Sequence, residues 1–254
     1  MEQKLGFQLF TRSKGGVSLT NAGEQLVPYI NAVLNSDESF KQAIAELTGL
    51  KQGKVKLGCF SSVCTSWVTD IVKEMETNYP GIHIEVYQGT YADVAHWLKT
   101  GKIDLGFLSV SSAEDLPIEP LYEDPLLCVV PKGYQKASDG PYMCIDDMKN
   151  EVFVSQMEST DADIVRFMKE NGLNVRSKFH VVDDLSTVSF VAKGLGICIM
   201  PDMVMTDIPY SVDIYPTLPK ASRIIGISVK HTDFLSPAAK TLYNYIIQEY
   251  KRSK

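Results

Sequence analysis

Short apolar stretches of strand length alternate with single amphipathic helices from residue 54 to the end of the chain. A strand followed by one helix and then another strand forms a right-handed βαβ unit, so this alternation predicts an α/β fold on a mainly parallel sheet. The predicted strands are 54–60, 82–88, 103–109, 126–130, 152–156, 178–182, 196–200 and 223–230. The predicted helices are 61–78, 91–100, 145–149, 161–171, 185–193 and 236–250.

These elements fall into two sets, and the second set begins at about Pro125. A chain of 254 residues is long enough for two ordinary domains. One strand and one helix remain after the second set, so we expect the chain to enter a second lobe near residue 124 and to return near 227. The sequence therefore predicts two Rossmann-like lobes, with lobe I formed by 54–124 plus 228–254 and lobe II by 125–227.

The most regular stretch is a predicted helix within residues 21–50, with Asn21 as its N-cap and Glu24 completing a capping box. Its apolar residues recur every three or four positions, in a seven-residue repeat broken only at Asp37. Such a stripe is typical of a helix that pairs with a second helix; the alternative is packing against its own domain. Gly49 would end the helix. The stripe predicted to mediate dimerisation consists of Leu26, Ile30, Val33, Phe40, Ile44 and Leu47.

Residues 1–20 are rich in turn formers and predict two short strands around a basic tip that contains Arg12, Ser13 and Lys14. Residues 1–60 carry seven basic and five acidic residues, whereas the remainder carries 18 basic and 26 acidic ones. An acidic surface repels phosphate groups, so only the first segment is expected to contact DNA, through this tip.

The sequence contains no motif of an enzyme, a metal site or a nucleotide cofactor. Its four histidines lack metal-ligand spacing, and Gly194-Leu195-Gly196 lacks the third glycine of a dinucleotide fingerprint. The five cysteines include no CxxC pair, which favours reduced, buried thiols. There is no apolar run of about 18 residues and no secretory leader pattern. We therefore expect a cytoplasmic protein that is not an enzyme and that needs no cofactor, metal or membrane.

Small polar residues follow the predicted strands at their carboxyl ends, where open α/β sheets bind ligands. Ser61 and Ser62 open a helix whose free N–H groups and dipole favour an anion. The alternative for each residue alone is an ordinary helix cap. No arginine falls at these strand ends, because Arg166 and Arg176 lie in or after a predicted helix. The candidate residues for a small anionic ligand are Ser61, Ser62, Ser109, Ser155, Gln156 and Thr160.

Two sequence motifs lie within the first 23 residues. Residues 2–12 match E-x-x-L-G-x-x-L-F-x-R, and residues 19–23 match LT-x-A-G. The pair resembles the DNA-binding domain of LysR-type transcriptional regulators. Residues 101–106 are similar to that family's G-x-ID-x-G motif, and residues 235–239 look like the start of its last helix. The resemblance covers the whole chain.

The resemblance implies a winged-helix remnant (residues 1–20), a linker helix for dimerisation (21–50) and a two-lobed effector-binding domain like the periplasmic binding proteins. In that family the recognition helix would end about where Met1 stands, so we expect roughly thirty preceding residues to be absent from this chain. It further implies DNA binding by the full-length protein, weak DNA binding by this chain, and self-association as a dimer or tetramer. A small-molecule effector, expected to be anionic, would control the DNA binding.

Two other classes share the two-lobed architecture. A solute-binding protein of a transport system would lack the seven-residue repeat and the LT-x-A-G segment, so both features count against it. An enzyme of the same fold would need a nucleophile with a base, or a metal set, and neither is present in the sequence. A transcriptional regulator is therefore the function that the sequence favours.

Overall fold

The computed structural model describes residues 1–47, 52–156, 162–173, 176–230 and 235–251. The described residues form an N-terminal hairpin, one long helix and two α/β lobes. The predicted helix end at Gly49 and the candidate ligand residue Thr160 lie outside the described residues.

The N-terminal segment leads into a long helix and comprises α1 (Glu2–Leu5), β1 (Phe10–Ser13), β2 (Gly16–Leu19) and α2 (Asn21–Leu47). Thr20 caps α2, because its Oγ1 accepts a hydrogen bond from the N–H of Gly23 at 3.0 Å. The predicted N-cap, Asn21, is therefore wrong by one residue. Gly23 is required by close packing, since a Cβ there would lie 2.3 Å from the carbonyl oxygen of Leu9.

Lobe I begins with three parallel strands and the helices that connect them. Strand β3 lies between β4 and β5 and pairs with both in parallel. The helical residues 61–78 run continuously through one π-helical turn. The elements are β3 (Gly53–Cys59), α3 (Ser61–Val63), the π turn (Cys64–Val68), α4 (Thr69–Asn78), β4 (Ile82–Gln88), α5 (Tyr91–Thr100), β5 (Leu105–Ser109) and a 3₁₀ turn (Val110–Ser112).

The chain then crosses into lobe II and returns to lobe I at its end. Strands β8 and β9 pair in parallel, and Phe153 of β8 bridges to Ile197 just before β10. The elements are β6 (Ile118–Pro131), β7 (Met143–Cys144), α6 (Ile145–Met148), β8 (Val152–Gln156), α7 (Ala162–Glu170), β9 (Arg176–Val181), α8 (Asp184–Ala192), β10 (Cys198–Pro201), α9 (Asp202–Met205), β11 (Val212–Leu218), β12 (Ser222–Val229) and α10 (Pro237–Tyr250).

Strands β6 and β12 join the two lobes and form the hinge. The first part of β6 pairs antiparallel with β12, and its last part pairs with β10 and β11. The predicted crossing points at 124/125 and 227/228 fall inside these two strands. Because one strand carries the chain out of lobe I and the other carries it back, they run in opposite directions. The sheet is consequently mixed, in the order β4-β3-β5-β12-β6-β11-β7 with β10 also on β6, and the prediction of a mainly parallel sheet is wrong.

Each lobe has its own apolar core. In lobe I, Leu57 and Phe107 of the central strands and Ile71 of α4 are fully buried. In lobe II, Cys128 and Val129 point to opposite sides of β6 and belong to separate apolar clusters. The clusters lie on both sides of the lobe II strands and are separate from the core of lobe I.

Helix α2 docks on lobe I through polar side chains. The amides of Asn31 and Asn35 donate to the carbonyl oxygens of Thr100 at 2.8 Å and Gly101 at 3.0 Å. Gln42, which is 3% exposed, donates to the carbonyl of Lys54 at 3.3 Å. These contacts fix the direction of α2 relative to lobe I.

The predicted dimerisation stripe is a separate surface of α2. Leu26 is half-buried, and the other five residues are exposed, from 37% for Ile30 to 88% for Leu47. Helices gain most of their stability from burying an apolar face. Within the described part of the chain, this helix buries polar groups and leaves its apolar stripe uncovered.

Candidate ligand site between the two lobes

A cavity of about 770 Å³ lies between the helix that follows β3 and the lobe II helices α8 and α9. Ser61 and Ser62 line it at the start of α3. Phe60 precedes this helix and makes no side-chain capping bond, so no capping side chain satisfies the first N–H groups of the helical run. An uncapped helix start of this kind favours a negatively charged group.

The lining of the cavity also carries carboxylates, three from lobe II and one from α10 of lobe I. Among the described residues that line it, four are acidic and none is Lys, Arg or His. Trp67 forms an aromatic wall with Tyr250, whose ring centroid lies 4.6 Å away. A ligand that fits this cavity has an acidic group toward α3 and hydrogen-bond donors toward the carboxylates. The acidic lining residues are Asp184, Asp202, Asp207 and Glu249.

Ser62 belongs to a buried cluster around an arginine, which we call the Arg223 cluster (Ser62, Tyr91, Asp124 and Arg223). Arg223 donates through Nη2 to Ser62 at 2.8 Å and through Nη1 to the hydroxyl of Tyr91 at 2.8 Å. Its Nε donates to Asp124 at 2.8 Å. Ser62 is 4% exposed and Arg223 is 3% exposed. The hydroxyl of Ser62 therefore accepts a bond from Arg223 and keeps its own proton for donation.

Asp124 connects this cluster to lobe II. Its second oxygen accepts a bond from the N–H of Met203 in α9 at 3.0 Å. Burial raises the pKa of Asp124, whereas the charge of Arg223 and the Met203 N–H oppose that rise. The Arg223 cluster thus ties the start of the Ser62 helix to both hinge strands and to α9.

Arg223 is a site residue that the sequence analysis missed. It is the first residue of the predicted strand 223–230. The sequence analysis considered only residues at the carboxyl ends of strands, so it did not select an arginine at the start of a strand. Strand β12 enters lobe I antiparallel to β5, so the start of β12 lies beside the carboxyl end of β5. An antiparallel strand therefore brings its first residues to the edge where parallel strands end.

Ser109 takes part in a second polar group, which we call the Asp163 contact (Ser109, Ser111, Asp163 and Arg166) and in which Ser109 and Asp163 are buried. Ser109 ends β5 and donates to Asp163 at 2.5 Å, and Ser111 donates to the same carboxylate at 2.8 Å. Asp163 belongs to α7 of lobe II and is 1% exposed. Arg166, one turn later, donates to Asp163 at 2.8 Å. Ser109 is thus engaged by a carboxylate of the opposite lobe.

The remaining candidates for ligand binding lie in lobe II. Ser155 is in β8, and its hydroxyl is buried without a hydrogen-bond partner among the described residues. Gln156 is the last residue of the same strand. The structure therefore brings Ser61 and Ser62 together at the cavity and sets Ser109 against lobe II.

The residues predicted to contact DNA lie on the N-terminal hairpin. Arg12 and Ser13 are in β1 and Lys14 is in the turn, where Ser13 pairs with Gly16. All three side chains are exposed. Their positions leave them accessible to a phosphate backbone.

Within residues 1–47, 52–156, 162–173, 176–230 and 235–251, no group of three or more His, Cys, Asp or Glu residues is arranged to hold a metal ion. Over the same residues, none of the helices combines the length and the hydropathy needed to cross a membrane.

Two lobes on a crossed pair of hinge strands, with a polar cavity between them, define the class of two-lobed ligand-binding domains of the periplasmic-binding-protein type. A family model described as the LysR substrate binding domain matches residues 48–251. The chain belongs to the LysR family of transcriptional regulators, as its motifs predict.

Curated relatives from Bacillus subtilis support this assignment. The chain is 27% identical over 254 residues to YybE and 25% identical over 243 residues to YvbU, two HTH-type transcriptional regulators described as uncharacterized. The matches cover 98% of this chain and 86% of YybE, and 94% of this chain and 82% of YvbU. The chain is also 22% identical over 261 residues to the transcriptional dual regulator GltC, covering 99% of this chain and 86% of GltC. These relatives favour a regulator over the alternative of a solute-binding protein.

Solved structures share the fold. The effector-binding domain of QuiR in complex with shikimate has a TM-score of 0.69 at 21% identity and covers 79% of this chain and 98% of that chain. The CcmR regulatory domain of Synechocystis in complex with 2-PG has a TM-score of 0.72 at 17% identity and covers 79% of this chain and 99% of that chain. A variant of full-length OxyR from Pseudomonas aeruginosa has a TM-score of 0.74 at 19% identity and covers 99% and 86%. The prediction of a two-lobed fold is confirmed.

Proposed function

We propose that this LysR-family regulator is controlled by a small anionic molecule that carries additional hydrogen-bond donors and binds between its lobes. The observation that carries the proposal is the uncapped helix start at Ser61 and Ser62, which opens on the 770 Å³ cavity. Its N–H groups and hydroxyls suit an acidic group, and the carboxylates of the cavity lining suit hydroxyl or ammonium donors. A hydroxy acid or an amino acid has both.

The ligand would act by changing the arrangement of the lobes. The cavity has walls from both lobes, and the hinge strands lie beside Ser62 through Arg223 and Asp124. A ligand shifts a conformational equilibrium only by its difference in affinity for the two states. Contacts to both lobes supply such a difference, because they form together only when the lobes are close. QuiR and CcmR, which share the fold, are described in complex with shikimate and 2-PG.

The experiment begins with native mass spectrometry of the purified chain to identify a co-purified small molecule. Calorimetry then compares wild type with Ser61→Ala and with Ser189→Ala, a control on α8 outside the cavity lining. A hydrogen bond to a charged group contributes about 1.5–3 kcal/mol, so Ser61→Ala should weaken binding roughly ten- to a hundredfold. If all three proteins bind the molecule with equal affinity, the ligand does not bind at the helix start.

A second copy of the chain is the partner we propose for α2. Val33 is 69% exposed and Phe40 is 66% exposed, on the stripe that repeats every seven residues. Pairing two such stripes removes these side chains from water and gives a dimer, on which a tetramer can be built. Aspartates at both positions would bury unpaired charge in that interface and prevent pairing.

Sedimentation velocity tests this pairing. Val33→Asp combined with Phe40→Asp should sediment as a smaller species than wild type at the same concentration. Gln25→Asp adds a charge to α2 outside the stripe and should sediment like wild type. If the double variant keeps the wild-type sedimentation coefficient, the stripe is not the interface.

For DNA we propose a weak, salt-dependent contact through the hairpin tip. Arg12 and Lys14 supply two positive charges, and phosphate contacts position a protein on DNA without selecting a sequence. Few neutralised phosphates mean low affinity that falls as salt rises. Nanomolar, sequence-selective binding by this chain in a mobility-shift assay would contradict this part of the proposal.

A further inference from the structure

The Asp163 contact places a carboxylate of lobe II on a serine of lobe I that was predicted to bind a ligand. Ser109 ends β5, and β5 is the parallel neighbour of β3, whose end leads to Ser61 and Ser62. The carboxyl ends of neighbouring parallel strands meet at one edge of a sheet. Asp163 therefore occupies a position on the same edge as the proposed ligand.

The groups around Asp163 are those that would hold the carboxylate of a bound molecule. Two hydroxyls of lobe I donate to it at 2.5 Å and 2.8 Å, and a guanidinium donates at 2.8 Å. Asp163 is 1% exposed, and burying a carboxylate is costly unless such donors replace its water. These donors form an anion pocket, and the anion that occupies it is the carboxylate of Asp163.

Two further hydroxyls, one in each lobe, lie close to the contact residues in sequence. The hydroxyls of Ser112 and Ser155 are buried and have no hydrogen-bond partner among the residues that the structure describes. Ser112 directly follows Ser111 in the 3₁₀ turn, and Ser155 lies in β8, the strand before α7. Buried hydroxyls without partners are uncommon and call for an explanation. Both hydroxyls are therefore donors that no described acceptor uses.

We propose that Asp163 is an internal ligand of the cleft: its carboxylate fills an anion pocket formed by Ser109, Ser111 and Arg166, holds the lobes together, and competes with the carboxylate of an incoming small molecule. The proposal rests on the proposed function, since it concerns regulation of the same cleft; none of these four residues lines the 770 Å³ cavity, so the pocket is a second anion position in the cleft. It makes the contact autoinhibitory, because a ligand must displace Asp163 to reach the pocket. An anion then binds with an affinity reduced by the fraction of molecules in which the contact is open.

The probe for this competition is formate, which has the size of the carboxylate removed in Asp163→Ala. Melting temperature is measured against formate concentration at constant ionic strength, and amide shifts of Ser109 and Ser111 are followed by NMR. Asp163→Ala should bind formate with a half-saturating concentration at least tenfold lower than wild type. A tenfold gain means that the contact is closed in about nine-tenths of wild-type molecules. A merely structural Asp163 would lose stability on replacement without gaining an anion.

Two further variants test whether formate binds in the pocket that Asp163 occupies. Asp146→Ala removes another first-turn carboxylate of lobe II that pairs with a cation three residues on, but that side chain is 87% exposed. It should respond to formate like wild type. Ser109→Ala combined with Asp163→Ala should lose the saturable response. Equal half-saturation in wild type and Asp163→Ala, or a response that survives without Ser109, would overturn the proposal.

Asp163→Asn provides a second measurement if the alanine variant does not fold. Its amide keeps the shape of the side chain but weakens the charge-assisted bonds. Hydrogen exchange at residues 109–112 and 163–166 should be faster than in wild type and in Asp146→Ala. Unchanged exchange in both segments would overturn the proposal. These assays use neither DNA nor the natural ligand, so their failure is distinguishable from failure of the proposed function.

Discussion

The Arg223 cluster and the Asp163 contact both bury a carboxylate at the cleft, but the two carboxylates join different parts of the molecule. Asp124 and Arg223 lie opposite each other on the paired hinge strands, and their side chains are 0% and 3% exposed. Asp163 reaches from lobe II to Ser109 of lobe I, and its cationic partner Arg166 is 48% exposed.

We infer from this difference that the Arg223 cluster holds the hinge strands together, whereas the Asp163 contact can break when the lobes separate. Separating Asp124 from Arg223 would require breaking the hydrogen bonds between two sheet strands and leaving two charges without water. Separating Asp163 from Ser109 needs only a movement of one lobe, after which water can solvate the carboxylate, the hydroxyls and the guanidinium. Burial alone therefore does not show whether a charged group is fixed; the elements on either side of the contact decide it.

The largest effect is expected at the hinge. Asp124→Ala leaves the buried guanidinium of Arg223 without its charged partner, so the free energy of unfolding should fall by about 3–5 kcal/mol. Urea unfolding followed by circular dichroism measures it. Asp213→Ala removes a carboxylate that is 23% exposed and pairs with Lys132, which is 67% exposed, so it should cost less. If both variants lose the same free energy of unfolding, the burial of Asp124 does not make its ion pair more important for stability.

A smaller effect is expected from one serine in each group. Ser62→Ala removes one acceptor from a guanidinium that is 3% exposed and lies on a hinge strand, at a cost of about 1–3 kcal/mol. Ser109→Ala should cost less than Ser62→Ala, because opening of the lobes lets water solvate Asp163. Urea unfolding of the two variants side by side gives the comparison. A larger loss in Ser109→Ala would mean that the Asp163 contact is as fixed as the hinge.

The smallest effect is expected at Arg166. Its pair with Asp163 is formed by a side chain that is half exposed, so water screens the interaction. Arg166→Ala should therefore lower the free energy of unfolding by no more than about 1 kcal/mol. The same substitution should lower the affinity of Asp163→Ala for formate, because the pocket loses its cation. A loss as large as that of Asp124→Ala would show that Arg166 is part of a rigid core.

Local patterns predicted many of the elements and missed others. Helix α5 and the last helix, with Ser236 as its cap, follow from turn residues and apolar spacing, and both are present. The first half of β6 and all of β11 were not predicted, because they carry prolines and charged residues and lie half exposed. Their strand form comes from pairing with neighbours that are distant in sequence.

The candidate site was predicted in part. Ser61 and Ser62 stand at a helix start directly after a strand, so sequence order alone placed them at the cavity. The partners of Ser62 and Ser109 could not be foreseen, since Arg223 and Asp163 come from other elements. The apolar stripe of α2 was predicted from its spacing, and the hydrogen bonds of Asn31, Asn35 and Gln42 to lobe I were not.

By itself, the sequence determined the two sets of strands and helices, the seven-residue repeat of α2 and membership of the LysR family. These follow from spacing over a few residues, which fixes which side chains share a face. Only the tertiary structure decided which polar side chains meet. Asp124 pairs with Arg223 at a sequence separation of 99 residues, and Ser109 pairs with Asp163 at a separation of 54. Such pairs depend on strand order and register within the whole fold, and no local pattern of amino acids carries that information.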